Sequence, residues 1–249
     1  MKAEIKIVAD LAELTEVSAE RFVTLALNAT RDTGRFTVAL SGGSTPRGLY
    51  SRLATPEISQ KLPWDKMYFF FSDERYVPPD HAESNYRMAY ESLLSKAPIP
   101  GDHVFRVQAE VKDPTLGAAN YEQSLKQFFQ LGAGQIPRFD LMLLGLGPDG
   151  HTASLFPGTP ALHERTHLVV ANWVEKFQTY RFTLTAPVIN HAACVMFLVA
   201  GADKAGALQS VLESDARPEQ FPAKLIHPDN GALLWIVDRE AASMLKAKH

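Results

Sequence analysis

A single cysteine, Cys194, stands in the 249 residues of this chain, so no intramolecular disulfide can staple it. The apolar neighbours Ala193, Val195, Met196, Phe197 and Leu198 mark that thiol as a buried structural residue. Long apolar runs are also missing: none approaches the ~20 residues a membrane-spanning helix needs. Residues 1–10 alternate Lys2, Glu4 and Lys6 with apolar positions and lack the apolar core of an export signal. There is no surplus of positive charge, since 25 Lys and Arg face 28 Asp and Glu for a net charge of −3. That balance excludes a broad basic face for nucleic acid or an anionic membrane, while leaving room for an isolated basic pocket. Internal repeats, low-complexity tracts and composition breaks are absent, and residues 99–101 and 217–218 have the character of loops rather than linkers. One domain over residues 1–249 is expected, at a length that buries roughly 70–75% of the unfolded surface without metal or disulfide support. The expected compartment is the cytoplasm, and the Asn28-Ala29-Thr30 sequon, on a helical pattern, is expected to stay unmodified.

What is present is a regular alternation of short apolar runs and helical patterns. Residues 10–32 place Leu11, Leu14, Val17, Phe22, Leu25 and Ala29 near one helical face. Strand-length runs follow at 36–40, 67–71, 139–144, 194–200 and 233–237, several of them apolar throughout, with helical patterns at 84–95, 116–131, 203–213 and 239–247. Such strands predict a doubly wound, mostly parallel α/β sheet of Rossmann-like type, covered by helices on both faces. Polar segments follow four of the runs: 41–46, 72–75, 145–151 and 201–204. Parallel strands would deliver all four to one sheet edge, where open α/β sheets bind ligands.

Ser41-Gly42-Gly43-Ser44-Thr45-Pro46 lies between a strand and an expected helix, with Ser44 or Thr45 as cap and Pro46 at the first helical position. Glycines let backbone N–H groups approach an anion, and the helix N-terminus favours a phosphate, although a plain tight turn explains the segment equally well. It is neither a Walker loop nor a nucleophile elbow, because no Gly-Lys-Ser/Thr follows and Pro46 stands where the elbow needs glycine. Residues 145–150 match G-x-G-x-x-G, yet Pro148 interrupts the loop and residues 168–172 offer no acid for a ribose, so a dinucleotide site is not expected. His151, delivered by that loop beside Asp149, is the better clue, since histidine exchanges protons near neutral pH. Asp73-Glu74-Arg75 supplies charge at a strand end, and Lys204 opens a helix after a strand, though each alone fits a solvated surface. His163 and His167 lack a third ligand, and no metal site is expected.

Together these segments resemble the 6-phosphogluconolactonase family, within the wider fold shared with glucosamine-6-phosphate isomerase/deaminase. The likeness is carried by residues 41–46, by 72–75 with Ser84-Asn85-Tyr86, and by the long segment 145–157 ending Gly150-His151-Thr152-Ala153-Ser154-Leu155-Phe156-Pro157. It continues through Arg181-Phe182-Thr183-Leu184-Thr185, Asn190, Lys204-Ala205 and Pro222-Ala223 to Trp235. The deaminase branch typically carries Asn-Glu-Pro where this sequence has Leu155-Phe156-Pro157; residues 173–180 depart from the family pattern in lacking prolines. The resemblance implies hydrolysis of 6-phospho-D-glucono-1,5-lactone, a small-molecule sugar-phosphate partner, no metal or organic cofactor, and a monomer or weak homo-oligomer. It implies His151 as general base, Asp73 orienting either the histidine or a sugar hydroxyl, and an oxyanion held by Arg75 or by loop amides such as that of Gly150. Gly42, Gly43, Ser44, Thr45, Arg181 and Lys204 are implied as phosphate holders. The rival expectations are a sugar-phosphate isomerase or deaminase, and a noncatalytic sugar-phosphate sensor.

Overall fold

The computed structural model describes residues 3–246; the expectations that touch Lys2 and residue 247 lie outside them. Two sheets form. The larger has six parallel strands in the order β1-β9-β8-β5-β2-β3, built from β1 (Glu4–Val8), β2 (Phe36–Leu40), β3 (Met67–Phe71), β5 (Leu141–Leu144), β8 (Cys194–Val199) and β9 (Ala232–Asp238). The smaller is antiparallel, order β4-β7-β6, from β4 (Asp73–Arg75), β6 (Val169–Val174) and β7 (Thr179–Leu184).

The central strands are apolar throughout because both faces of the large sheet are covered. Ala39, Phe70, Met142, Leu144 and Phe197 face one core cluster, shared with α5 (Pro114–Phe129), α7 (Ala205–Glu213) and the small sheet. Val38, Leu40, Phe69, Leu143 and Met196 face the other, shared with α1 (Leu11–Thr33) and α2 (Ser44–Leu53). Cys194 is buried in this second cluster, and burial pushes its thiol up to about 11. Helix α1 starts where Asp10 accepts from the Glu13 amide (2.9 Å) while Glu13 reaches back to the Ala9 amide, and it ends at Gly34, whose φ of 81° lets its N–H close on the Thr30 carbonyl. Leu11, expected on the buried face, is exposed; the buried spine is Leu14, Ser18, Phe22 and Ala26.

Three expectations need correction. The helical pattern at 239–247 shrinks to one 3-10 turn, Ala241–Met244, which Asp238 starts by accepting from the Ala241 amide and which does not continue because the Lys246 amide donates to Glu213 of α7 instead of to the preceding turn. The pattern at 84–95 divides into α4 (Asn85–Ala89) and a π turn, Tyr90–Leu94. Neither Ser44 nor Thr45 caps α2: Gly43 does, without a side-chain bond, and Pro46 sits inside the first turn.

Two buried phenols close the ends of adjacent strands, one residue apart in register. Tyr50 Oη accepts from the Ser41 N–H (3.0 Å) and donates to the Ser41 carbonyl (2.9 Å). Tyr121 Oη does the same for Phe71, at 2.8 and 3.0 Å. Beyond this edge the direction of winding reverses, since β3 lies outside β2 whereas the chain leaving β5 continues to β8 on the opposite side. The crevice between β2 and β5 is the switch point at which open α/β sheets place their ligands.

Candidate active site

The loops after β2 and β5 flank that crevice, and with the small sheet they enclose a cavity of about 310 Å³. At Gly42 a side chain would overlap the Asn85 carboxamide; at Gly43, φ is 108°, a conformation glycine adopts without strain. No side chain caps α2, and Ser44 and Thr45 at its start line the cavity, so the helix presents its positive end there. Ser41 Oγ, also on the wall, is buried without a partner among the described residues.

The loop after β5 folds on itself through Gly147 N–H to the His151 carbonyl (2.8 Å) and Gly150 N–H to the Gly147 carbonyl (2.9 Å). It runs on into turns and not into a helix, as the rejected dinucleotide fingerprint would have required. His151 is clamped on two sides. Its ring stacks on Phe156 (centroids 4.2 Å apart), and its Nδ1 bonds Asp149 Oδ1 at 2.5 Å. A side chain on Gly147 would fall on this ring, so the glycine leaves room for the imidazole. Burial works against the charge of Asp149, but His151 and Lys176 outweigh it and hold the carboxyl well below the usual carboxylate range. An acidic partner on Nδ1 fixes the proton there and leaves Nε2 as the basic nitrogen.

Strand β4 brings Asp73 and Arg75 to the opposite wall. Asp73 accepts from Ser154 Oγ (2.8 Å) and from Asn85 Nδ2 (3.3 Å); Asp149, not Asp73, orients the histidine. Between them, Glu74 turns inward and accepts from the amides of Arg75, Asn85 and Tyr86 and from Ser84 Oγ, which pins α4 against the site. Burial pushes its carboxyl up despite these donors.

Arg75 pairs directly across the strands with Arg181 of β7. Like charges so placed repel. Arg181 Nε is buried with no hydrogen-bond partner among the described residues, its guanidinium lies over the Phe177 ring (5.0 Å), and burial together with Arg75 lowers its pKa. Lys204, just ahead of α7, reaches the same cavity, its Nζ 2.8 Å from Asp203. Three cations around one small cavity are a site built for an anion with several oxygens. Gly42, Gly43, Ser44, Thr45, Asp73, Arg75, His151 and Lys204 of the four polar segments thus meet, and Arg181, implied by the resemblance alone, joins them. Gly150 does not line the cavity: at φ 76° it packs against Phe221, and its carbonyl accepts from the Ala223 amide.

Comparison with known proteins follows the same lines. A family model described as glucosamine-6-phosphate isomerases/6-phosphogluconolactonase matches residues 9–235. The chain belongs to this family. Among relatives of the glucosamine-6-phosphate isomerase/6-phosphogluconolactonase family, a 6-phosphogluconolactonase of Nostoc sp. is 42% identical over 245 residues, 98% of this chain and 99% of that one. A 6-phosphogluconolactonase of Synechocystis sp. is 45% identical over 223 residues, 90% of each chain. The solved 6-phosphogluconolactonase from Trypanosoma cruzi superposes with a TM-score of 0.87 at 34% identity, over 99% of this chain and 98% of that one.

Sequence reasoning did not find Lys176, Phe177, or the bonds of Asn85 and Ser154 to Asp73. Asp149 carried a signal, two residues before His151 in the same loop. Lys176 and Phe177 carried none, being ordinary residues of the 173–180 segment that departs from the family pattern. That segment is a hairpin: β6 and β7 joined by a 3-10 turn, Glu175–Phe177, with Gln178 at φ 51°.

Proposed function

We propose that this chain is a 6-phosphogluconolactonase, hydrolysing 6-phospho-D-glucono-1,5-lactone to 6-phospho-D-gluconate in the oxidative pentose phosphate pathway. The observation that carries the reading is the facing of His151, whose Nε2 has no hydrogen bond among the described residues, and the Arg75–Arg181–Lys204 cluster across one cavity. A δ-lactone is an activated ester whose leaving oxygen stays tethered, so water and one general base suffice. His151 Nε2 takes a proton from water as the water oxygen attacks the carbonyl carbon; the imidazolium, steadied by Asp149, then returns the proton to the ring oxygen as the C–O bond breaks. The negative charge on the carbonyl oxygen is met by Arg75 or by loop amides, a contribution of ~3–4 kcal/mol per well-placed donor. Arg181, Lys204 and the Gly42–Thr45 turn take the phosphate, while Asp73 is left for a sugar hydroxyl.

No helix among the described residues is long and apolar enough to cross a membrane, and the proposal carries the cytoplasm as compartment, one domain over residues 1–249, and a monomer or weak homo-oligomer as the working form. The experiment is turnover of freshly generated phospholactone above its spontaneous opening, beside unphosphorylated gluconolactone. A strong preference for the phosphorylated lactone is expected, since remote binding energy is available only there. Equal kcat/KM on both removes the phosphate assignment; turnover of glucosamine 6-phosphate instead moves the chain to the deaminase branch.

A further inference from the structure

The two oxygens of Asp149 are divided between two partners. Oδ1 accepts from His151 Nδ1 (2.5 Å) and from the His151 amide (3.3 Å); Oδ2 accepts from Lys176 Nζ (3.2 Å). A carboxylate beside an imidazole favours the imidazolium, and a cation on the same carboxylate cancels part of that effect. We infer that Lys176 lowers the proton affinity of His151 through Asp149, which makes it a positioning residue for the reaction. This rests on the reading of His151 as the base: without the lysine the imidazole would remain protonated to higher pH, where it cannot accept the proton of water.

The lysine is held in place by the turn that carries it. Trp173 Nε1 donates to Glu175 Oε2 (2.8 Å), and Gln178 Nε2 donates to the Glu175 carbonyl (3.0 Å) and to Glu175 Oε1 (2.7 Å). The next residue, Phe177, meets Phe156 edge-on (5.6 Å), the ring on which His151 stacks. One hairpin tip therefore bears on both the partner and the face of the imidazole. With 60% of its side chain exposed, Lys176 contributes little to stability through this pair; a charge effect on a nearby proton survives such exposure and weakens with salt.

Besides Asp149, other ionisable groups face His151. Asp73 and Arg75 of β4, Arg181 of β7 and Lys204 ahead of α7 share the cavity, and Glu175 on the tip is engaged by Trp173 and Gln178.

The test follows the His151 imidazole by NMR titration in the ligand-free enzyme, beside the acid limb of kcat/KM, in wild type, Lys176→Met, Lys176→Arg and Lys176→Glu. Both midpoints are expected to rise by about half a pH unit to one in Lys176→Met. They should rise further in Lys176→Glu and stay with wild type in Lys176→Arg. The gap between wild type and Lys176→Met should narrow at about 1 M salt, where charges are screened within a few ångströms. An imidazole that titrates alike in wild type, Lys176→Met and Lys176→Glu overturns the inference. A shifted imidazole with an unshifted acid limb leaves the coupling standing and removes His151 as the base.

Discussion

The two sheets supply the site in different ways. The large sheet contributes what lies beyond its strand ends: the Gly42–Thr45 turn, His151 and Lys204 all sit past the last paired residue. The small sheet contributes side chains from within its strands, with Asp73, Arg75 and Arg181 on β4 and β7. Placement in the first case follows from where a strand stops and which glycine turns the chain. In the second it follows from register, because Asp73 opposite Thr183 and Arg75 opposite Arg181 fix which residues face the cavity, and a slip of one residue would turn them all away. On the proposed reading the proton chemistry belongs to the large sheet's loops, while the anion clamp is shared, Arg181 coming from the small sheet and Lys204 with the Gly42–Thr45 turn from the large one.

The sharpest way to break this division is His151→Ala. We expect kcat to fall by about 10²–10⁴ while binding of 6-phosphogluconate is retained, since the phosphate and hydroxyl contacts come from other segments. Product binding measured by calorimetry settles it: loss of binding together with kcat would mean that the histidine holds the loop rather than the proton.

Next in size is the clamp. Arg181→Ala and Lys204→Ala should mainly raise KM, each by roughly one to two orders of magnitude, from charge-assisted contacts worth ~1.5–3 kcal/mol. Steady-state kinetics on the phospholactone reads the split directly. An unchanged KM in both variants returns these residues to ordinary surface charge.

The smallest effect concerns stability against pH. The folded-state pKa of Asp149 lies below its unfolded value of ~3.9, so its partners stabilise the fold fully above that pH, and the contribution is lost progressively as pH falls from there through the folded-state pKa. The stability gap between wild type and Asp149→Asn, from urea unfolding, should therefore be wider at about pH 5 than at about pH 3. A gap that does not change with acid would show that the bond to His151 leaves no trace in the folding equilibrium.

The same contrast explains what was legible beforehand. The large sheet could be read from strands 36–40, 67–71 and 194–199 because burial on both faces writes continuous apolar runs, and the loops after them carry glycine and histidine in short segments. Edge strand β1 was not read as a strand, since its alternation of Glu4 and Lys6 with Ile5 and Ile7 leaves it largely exposed. The small sheet was missed as a sheet. Its strand β4 is three residues long, and its partner lies over a hundred residues away, so neither length nor periodicity marks it. Arg181 and Asp73 were found by motif, whereas their partners Asn85, Ser154 and Thr183 depend on a pairing that only the folded chain shows.

The phenols of Tyr50 and Tyr121 carry a consequence for the growth of the large sheet. Each offers one acceptor and one donor to a residue's N–H and C=O, the same pair that an added strand would offer. At Phe71, on the outer strand β3, the hydroxyl occupies the bonding position through which another chain could extend the sheet. A single side chain from α5 thus takes the last bonding position of an edge that is already covered further down, where the Phe105 amide donates to the Phe69 carbonyl and His103 Nδ1 meets the Met67 carbonyl. The outer edge of β3 is thus closed to foreign strands by the phenol and the 103–105 segment together, and α5 is fastened to the sheet by the phenol's bonds.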